Sequence, residues 1–263
     1  MNHSSLPLIR FRLAQLASHL VVALIVLVVV GGATRVMEAG LACPDWPLCY
    51  GSFLPGKQMN VQVFLEWFHR LDAFLVGVAL LVQFVFALIF KSKLPYWLIW
   101  AYGILLFLVA FQGALGALTV LQLLSSTIVT AHLAVALTLV ALMSMISQRL
   151  LQVKESPAPI WWSCMGFSSL ALVIGQALLG GHMATTWASK KCLIQGFGCQ
   201  MLDLHRFFAI PTTLFVLTFV AIALLKGGWP RSQWPLLGFV VFLLGVQIIL
   251  GVTSVHFVLS APL

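Results

Sequence analysis

Seven stretches of this chain are so long and so evenly apolar that they leave little choice of fold. They run roughly over 15–35, 66–90, 95–121, 127–148, 160–183, 204–226 and 234–258. Each is close to the ~20 residues a helix needs to cross a hydrocarbon layer of about 30 Å. Hydrophobic residues make up 62% of the chain and charged residues 8%, with a mean hydropathy of +1.08, so a soluble interior of this size would not hide them. A membrane barrel would alternate apolar and polar residues over segments of about ten. These runs are continuous, which leaves helices, whose backbone groups are satisfied within each span. The first run lacks a small-residue cleavage site and reads as a retained helix rather than a signal peptide. The expected fold class is all-α integral membrane.

The formal net charge of +8 does not point to nucleic acid. Arg10, Arg12, Lys91, Lys93, Arg149, Lys154, Lys226 and Arg231 fall in the N-terminal tail or in alternate loops. By the positive-inside rule those segments are cytoplasmic. The expected orientation therefore has the N-terminus inside and the long loops at about 36–65 and 184–203 outside, in a cell (inner) membrane. The first of these is rich in turn formers, among them Pro44, Pro47, Gly51, Pro55 and Gly56, and is expected to be an irregular excursion.

One module is written twice. Gly31-Gly32, Cys43, Cys49 and His69-Arg70 recur as Gly180-Gly181, Cys192, Cys199 and His205-Arg206, at offsets of 149, 149, 150 and 136. Gln112-x-x-x-Gly116 recurs as Gln247-x-x-x-Gly251 at an offset of 135. The same offset places a counterpart of His132 near position 267, past Leu263. The expectation is two tandem four-helix-bundle repeats, the second lacking its last helix, with about seven transmembrane helices in this chain. The halves are 1–153 and 154–263, hinged at 154–159.

His69, His132 and His205 all lie near the outer ends of their spans. An ionisable residue in a span is costly and marks a functional site by default. Neutral imidazole is a good iron ligand, and haem iron takes axial ligands from both sides of its plane. Histidines from helices two and four suit a flat cofactor standing inside a four-helix bundle. The alternative is that each bonds a neighbouring helix or a headgroup. Arg70 and Arg206 match the carboxylates of a haem, or they snorkel to outer headgroups. Glu66 shares a helical face with His69 and has no counterpart in the second copy. It is a candidate for proton transfer, against the alternative of a helix-start carboxylate favoured by the macrodipole. His3, His19, His182 and His256 read as interfacial or packing residues, His182 being the strongest exception.

The cysteines pair within the outer loops, Cys43 with Cys49 and Cys192 with Cys199, where disulfides persist. Redox exchange is the functional alternative to structural bridging. Cys164 reads as a buried small hydrophobe. The spacings do not suit zinc, and no phosphate-binding or dinucleotide motif is present.

Taken together, Gly31-Gly-Ala-Thr-Arg35, Gly40-Leu-Ala-Cys-Pro-Asp-Trp-Pro-Leu-Cys49, Glu66-Trp-Phe-His-Arg70, Ala131-His-Leu133 and Leu204-His-Arg206 resemble the haem A synthase family over nearly the whole chain. That resemblance implies eight helices in two halves and oxidation of a methyl group of haem O to a formyl group. It implies haem O as substrate between His69 and His132, with Arg70 beside it and Glu66 as the catalytic carboxylate. It implies a haem b cofactor on His205, with Arg206 beside it and a second ligand beyond Leu263. The two cysteine pairs match the family's loop pairs. Further partners implied are membrane lipid, a haem O synthase and an electron donor or acceptor. Two other functions compete: a b-type cytochrome that carries electrons without altering its haem, and a thiol-disulfide membrane oxidoreductase using the four outer cysteines.

Overall fold

A computed structural model describes residues 8–151, 159–196, 199–226 and 231–260. The described residues are helical apart from loops and turns, in the order α1 (Leu8–Val36), α2 (Val61–Ile89), α3 (Trp97–Leu121), α4 (Ser126–Leu151), α5 (Ile160–Thr185), α6 (Ala188–Gln195), α7 (Cys199–Leu225) and α8 (Trp234–Ser260). All but α6 are long and apolar enough to cross a membrane. The expected all-α, seven-span membrane protein is therefore what this chain forms. It divides into two compact units, Met1–Ser156 and Pro157–Leu263. The predicted hinge except Pro159, most of the Lys226–Arg231 loop, Gly198 and His3 lie outside the described residues.

In the first unit α1 packs on α2 and α4, and α3 packs on the same two helices, which closes a four-helix ring. Its core draws on every helix, with Leu20, Leu80, Leu98 and Leu139 buried together. Ala14 and Ala17 of α1 are fully buried, and such small residues let membrane helices approach closely. The outward face stays apolar, as lipid requires: Phe74 is 66% exposed and Trp100 73%. Two polar ties cross the interior. Ser18 Oγ lies 2.8 Å from Ser147 Oγ, and the Tyr102 hydroxyl donates to Gln83 Oε1 at 2.7 Å. In the second unit α5 packs on α7, and α6 touches α5, α7 and α8. Leu237 of α8 meets Val220 and Ala223 of α7 in a smaller core.

Three helices start before their apolar runs. α2 begins at Val61 rather than 66 because the Asn60 side chain accepts the Val63 amide at 2.9 Å, an N-cap that satisfies a helix-start donor. α1 begins at Leu8 rather than 15. Arg10 donates to the carbonyls of Leu150 and Arg149 at 3.0 and 2.9 Å, a cation set on the negative end of α4. α7 begins at Cys199 rather than 204, tied by a disulfide to Cys192 of α6. α6 itself went unpredicted in the outer loop at about 184–203. Its ends are Trp187 (φ 55°) and Gly196 (φ 73°), both left-handed, and a glycine in that conformation is a common helix stop. Cys164 departs from its expected burial and is exposed. Ser169 is the one buried residue of α5, and a small apolar thiol is at no disadvantage on a face open to lipid.

Candidate functional site

Each helix of the first unit supplies one element of a single arrangement. His69 comes from α2 and His132 from α4, and their rings meet edge to face with centroids 6.5 Å apart and planes at 67°. α1 and α3 supply room. A Cβ built on Gly31 would stand 3.0 Å from His69 Cε1, and one on Gly116 would stand 3.4 Å from His132 Cε1. The hydroxyls of Thr34 and Thr119 donate to the carbonyls of Gly31 and Gly116, both at 2.7 Å, so each glycine carries the same local tie on its helix. Nδ1 of both histidines is buried without a hydrogen-bond partner. A buried imidazole nitrogen without a partner is costly in a packed interior, and a ligand that takes it up removes that cost.

The spacing fits iron. A metal bound through two opposed imidazole nitrogens at about 2 Å each places the ring centroids roughly 6 Å apart, and the observed separation is 6.5 Å. Two further buried atoms near this level lack partners, Oε1 of Gln112 and Oδ2 of Asp72. Neither residue was singled out as a site residue from sequence. Gln112 served only as a repeat marker, and Asp72 stands one turn past His69 in an apolar span, which is itself the signal that flags such a residue.

The outer end of this unit is covered by the loop between α1 and α2. Its Cys43–Cys49 disulfide is buried against Val63, Met59 and Trp67. Gly40 lies under Leu124 of the α3–α4 turn. Glu66 is 4% exposed and has both oxygens occupied: Oε2 accepts the Cys43 amide at 2.8 Å, and Oε1 pairs with Arg70. Arg70 is engaged within the protein. Nη1 donates to the carbonyls of Asp45 and Leu48, both at 2.6 Å. Nη2 donates to the Cys43 carbonyl at 3.3 Å and to Glu66. Asp45 in turn accepts the amides of Tyr50 and Gly51 at 2.6 and 2.7 Å. Those two residues have φ of 53° and 67°, a left-handed pair that turns successive amides toward one anion. The Gly51 amide above all, with the Tyr50 amide and Arg70 adding to it, holds the Asp45 carboxyl below its ordinary value of 3.8.

The second unit repeats only part of this. The His205 ring lies over Gly180, where a Cβ would stand 3.1 Å from Cε1. Gln176 Nε2 donates to the His205 carbonyl at 2.8 Å and lies 3.1 Å from its Nδ1. The paired histidine rings seen among the described residues are those of His69 and His132, and His256 on α8 is exposed. Arg206 is exposed and makes no clamp like that of Arg70 among the described residues. The residues present thus fit a haem on one face only, and no groups of three or more potential metal ligands gather anywhere among the described residues. His19 Nδ1 bonds the Gln15 carbonyl of its own helix at 2.8 Å, a local role.

Fold and site define a multi-pass helical membrane protein with a buried histidine pair suited to haem iron. The family described as cytochrome oxidase assembly protein matches residues 14–263. Among curated relatives, the haem A synthase of Shewanella oneidensis is 30% identical over 197 residues, covering 64% of this chain and 56% of that protein. The haem A synthase of Rhodopseudomonas palustris is 28% identical over 223 residues, 70% of this chain and 59% of that protein. That of Bradyrhizobium diazoefficiens is 31% identical over 209 residues, 65% of this chain and 56% of that protein. The chain therefore belongs to the haem A synthase family of cytochrome oxidase assembly proteins. The matches span between 56% and 59% of these three relatives' lengths. No solved structure matches it.

Proposed function

We propose that this chain takes part in haem A biosynthesis by oxidising a ring methyl of haem O to a formyl group, with the substrate held between His69 and His132. The observation that carries this reading is the pair of facing rings, 6.5 Å apart, each with a buried nitrogen that has no partner. Two successive hydroxylations of the methyl carbon, each a two-electron oxidation drawing on an external oxidant, give a geminal diol, and loss of water gives the aldehyde. Glu66 is the proposed catalytic carboxylate. It lies within one turn of His69, and in the dehydration it takes the proton of one hydroxyl and returns it to the departing one.

In this reading residues 1–153 are the substrate half and 154–263 the cofactor half. His205 would hold the iron of a haem b and Arg206 would pair with one of its carboxylates, and that haem would supply one-electron chemistry when bound. The N-terminus is cytoplasmic, and both disulfide loops face the outer side of the cell membrane. The proposed partners are a haem O synthase that supplies the substrate and a redox protein that exchanges electrons.

The test is to express the chain in a host that makes haem O but not haem A and to extract the pigments. Appearance of haem A is the expected result, and its loss in His69→Ala and His132→Ala ties it to the pair. Haem b alone, with haem O unconverted, identifies an electron-transfer cytochrome instead and overturns the proposal.

A further inference from the structure

We infer that Arg70 is a positioning residue: it fastens the Cys43–Cys49 loop over the histidine pair and does not bind the carboxylates of the substrate. The clamp stands on geometry alone; that the carboxylates are those of a substrate rests on the function proposed above.

Donor capacity limits what Arg70 can bind. A guanidinium has five N–H groups in a fixed fork. Four interactions of Arg70 are made within the protein: to the carbonyls of Asp45, Leu48 and Cys43 and to the Glu66 carboxylate. Both terminal nitrogens are thereby used twice, so the paired N–H geometry that grips a carboxylate in two places is already spent. The side chain is also 16% exposed, too enclosed to turn outward without leaving three carbonyls behind. Each of those carbonyls belongs to the disulfide loop. Glu66, the fourth partner, grips the same loop from the other direction through the Cys43 amide.

Arg70 therefore closes a ring of contacts from α2 to the loop and back to α2 one turn earlier. The ring fixes the Glu66 carboxylate and the loop together, so the loop cannot lift without releasing both. The equivalent arginine of the second copy is different. Arg206 is exposed and has no such loop clamp among the described residues, so the repeated His-Arg pair is two different devices. Arg206 is the one exposed enough to meet an anionic ligand, and Arg70 is the one that holds the loop.

The experiment uses the full chain in detergent. Arg70→Gln and Arg206→Gln are compared with wild type in two assays. The first is the rate at which a phosphine reductant opens Cys43–Cys49, read by thiol labelling and peptide mass, with Cys192–Cys199 as the internal reference. The second is the ratio of affinities for iron protoporphyrin IX and for its dimethyl ester, which lacks the carboxylates.

The expected result is that Arg70→Gln speeds opening of Cys43–Cys49 on the order of tenfold or more, leaves Cys192–Cys199 unchanged, and leaves the acid-to-ester ratio unchanged. Arg206→Gln is expected to leave Cys43–Cys49 at the wild-type rate and to lower the ratio. Wild-type protection of Cys43–Cys49 in Arg70→Gln overturns the inference, as does loss of the preference for the free acid. Where Arg70→Gln does not accumulate, Arg70→Lys decides. A single ammonium cannot reach three carbonyls and a carboxylate, so wild-type protection in that variant overturns the inference equally. Failure of wild type to convert haem O would sink the proposed function and leave these readouts standing.

Discussion

Gly31 lies beneath the ring of His69 so closely that a methyl group on it would stand 3.0 Å from Cε1. The Nδ1 of that ring is buried in the interior of the helix bundle, at a level shared with His132, whose ring centroid stands 6.5 Å away. Gly31→Ala is expected to displace the imidazole and weaken haem retention, at a cost of about 1–3 kcal/mol for overpacking. Gly32→Ala is the control, since nothing lies within 4 Å of its added carbon. There the change is expected to be neutral or stabilising by up to about 1 kcal/mol through helix propensity. Thermal unfolding and the haem absorption spectrum of the two variants check this. Equal behaviour of the two would show that His69 is not seated on Gly31.

Glu66 differs from a solvated helix-start carboxylate in having both oxygens engaged, one by the Cys43 amide and one by Arg70. Glu66→Gln keeps the shape and keeps a carbonyl for the Cys43 amide, while it removes the capacity to take up a proton. The variant is expected to retain haem and to lose formyl formation by roughly 10²–10⁴-fold. Pigment chromatography with an absorption spectrum measures both. Conversion of haem O at the wild-type rate would remove Glu66 from the chemistry.

The helical membrane fold was legible because apolar run length alone decides it, and the seven spans appear where the runs are. The ends were not, because they depend on side-chain ties such as Asn60 on Val63 and Arg10 on α4, which hydropathy does not register. The histidines stood out as ionisable groups in lipid-spanning segments. Their seats did not: Gly31 and Gly180 were visible as repeat markers, yet that each makes room for an imidazole follows only from helix packing. The clamp made by Arg70 was not legible because its partners are backbone carbonyls 22 to 27 residues away, and a carbonyl has no identity in a sequence. α6 was missed because its ends are set by backbone conformations at Trp187 and Gly196.

Within the first unit, Tyr102 and Gln83 share a hydrogen bond of 2.7 Å in a region where both are buried. Tyr102→Phe leaves Gln83 Oε1 without that donor in an apolar interior. The expected cost is about 1 kcal/mol, in the range of interhelical hydrogen bonds in membranes. Tyr102→Phe combined with Gln83→Leu removes both polar groups and is expected to recover most of that loss. A double-mutant cycle on unfolding in mixed detergent checks it. Additive losses would mean that the two residues do not interact.

Asp45 gives the loop a dependence on pH. Its carboxylate accepts the Tyr50 and Gly51 amides, which holds its folded pKa below the ordinary 3.8. A group with a depressed folded pKa contributes its full stabilisation above the unfolded value and loses it as pH falls through the folded value. The loop is therefore expected to stay closed at neutral pH and to loosen below about pH 4. A phosphine reductant, which remains active in acid, should open Cys43–Cys49 faster there. Glu66 and Arg70 also hold this loop, so the Asp45 contribution is isolated by difference. Asp45→Asn should open faster than wild type at pH 7 and should show a smaller further rise on acidification. Identical pH profiles for Asp45→Asn and wild type would mean that the two amides, and not the charge they receive, hold the turn.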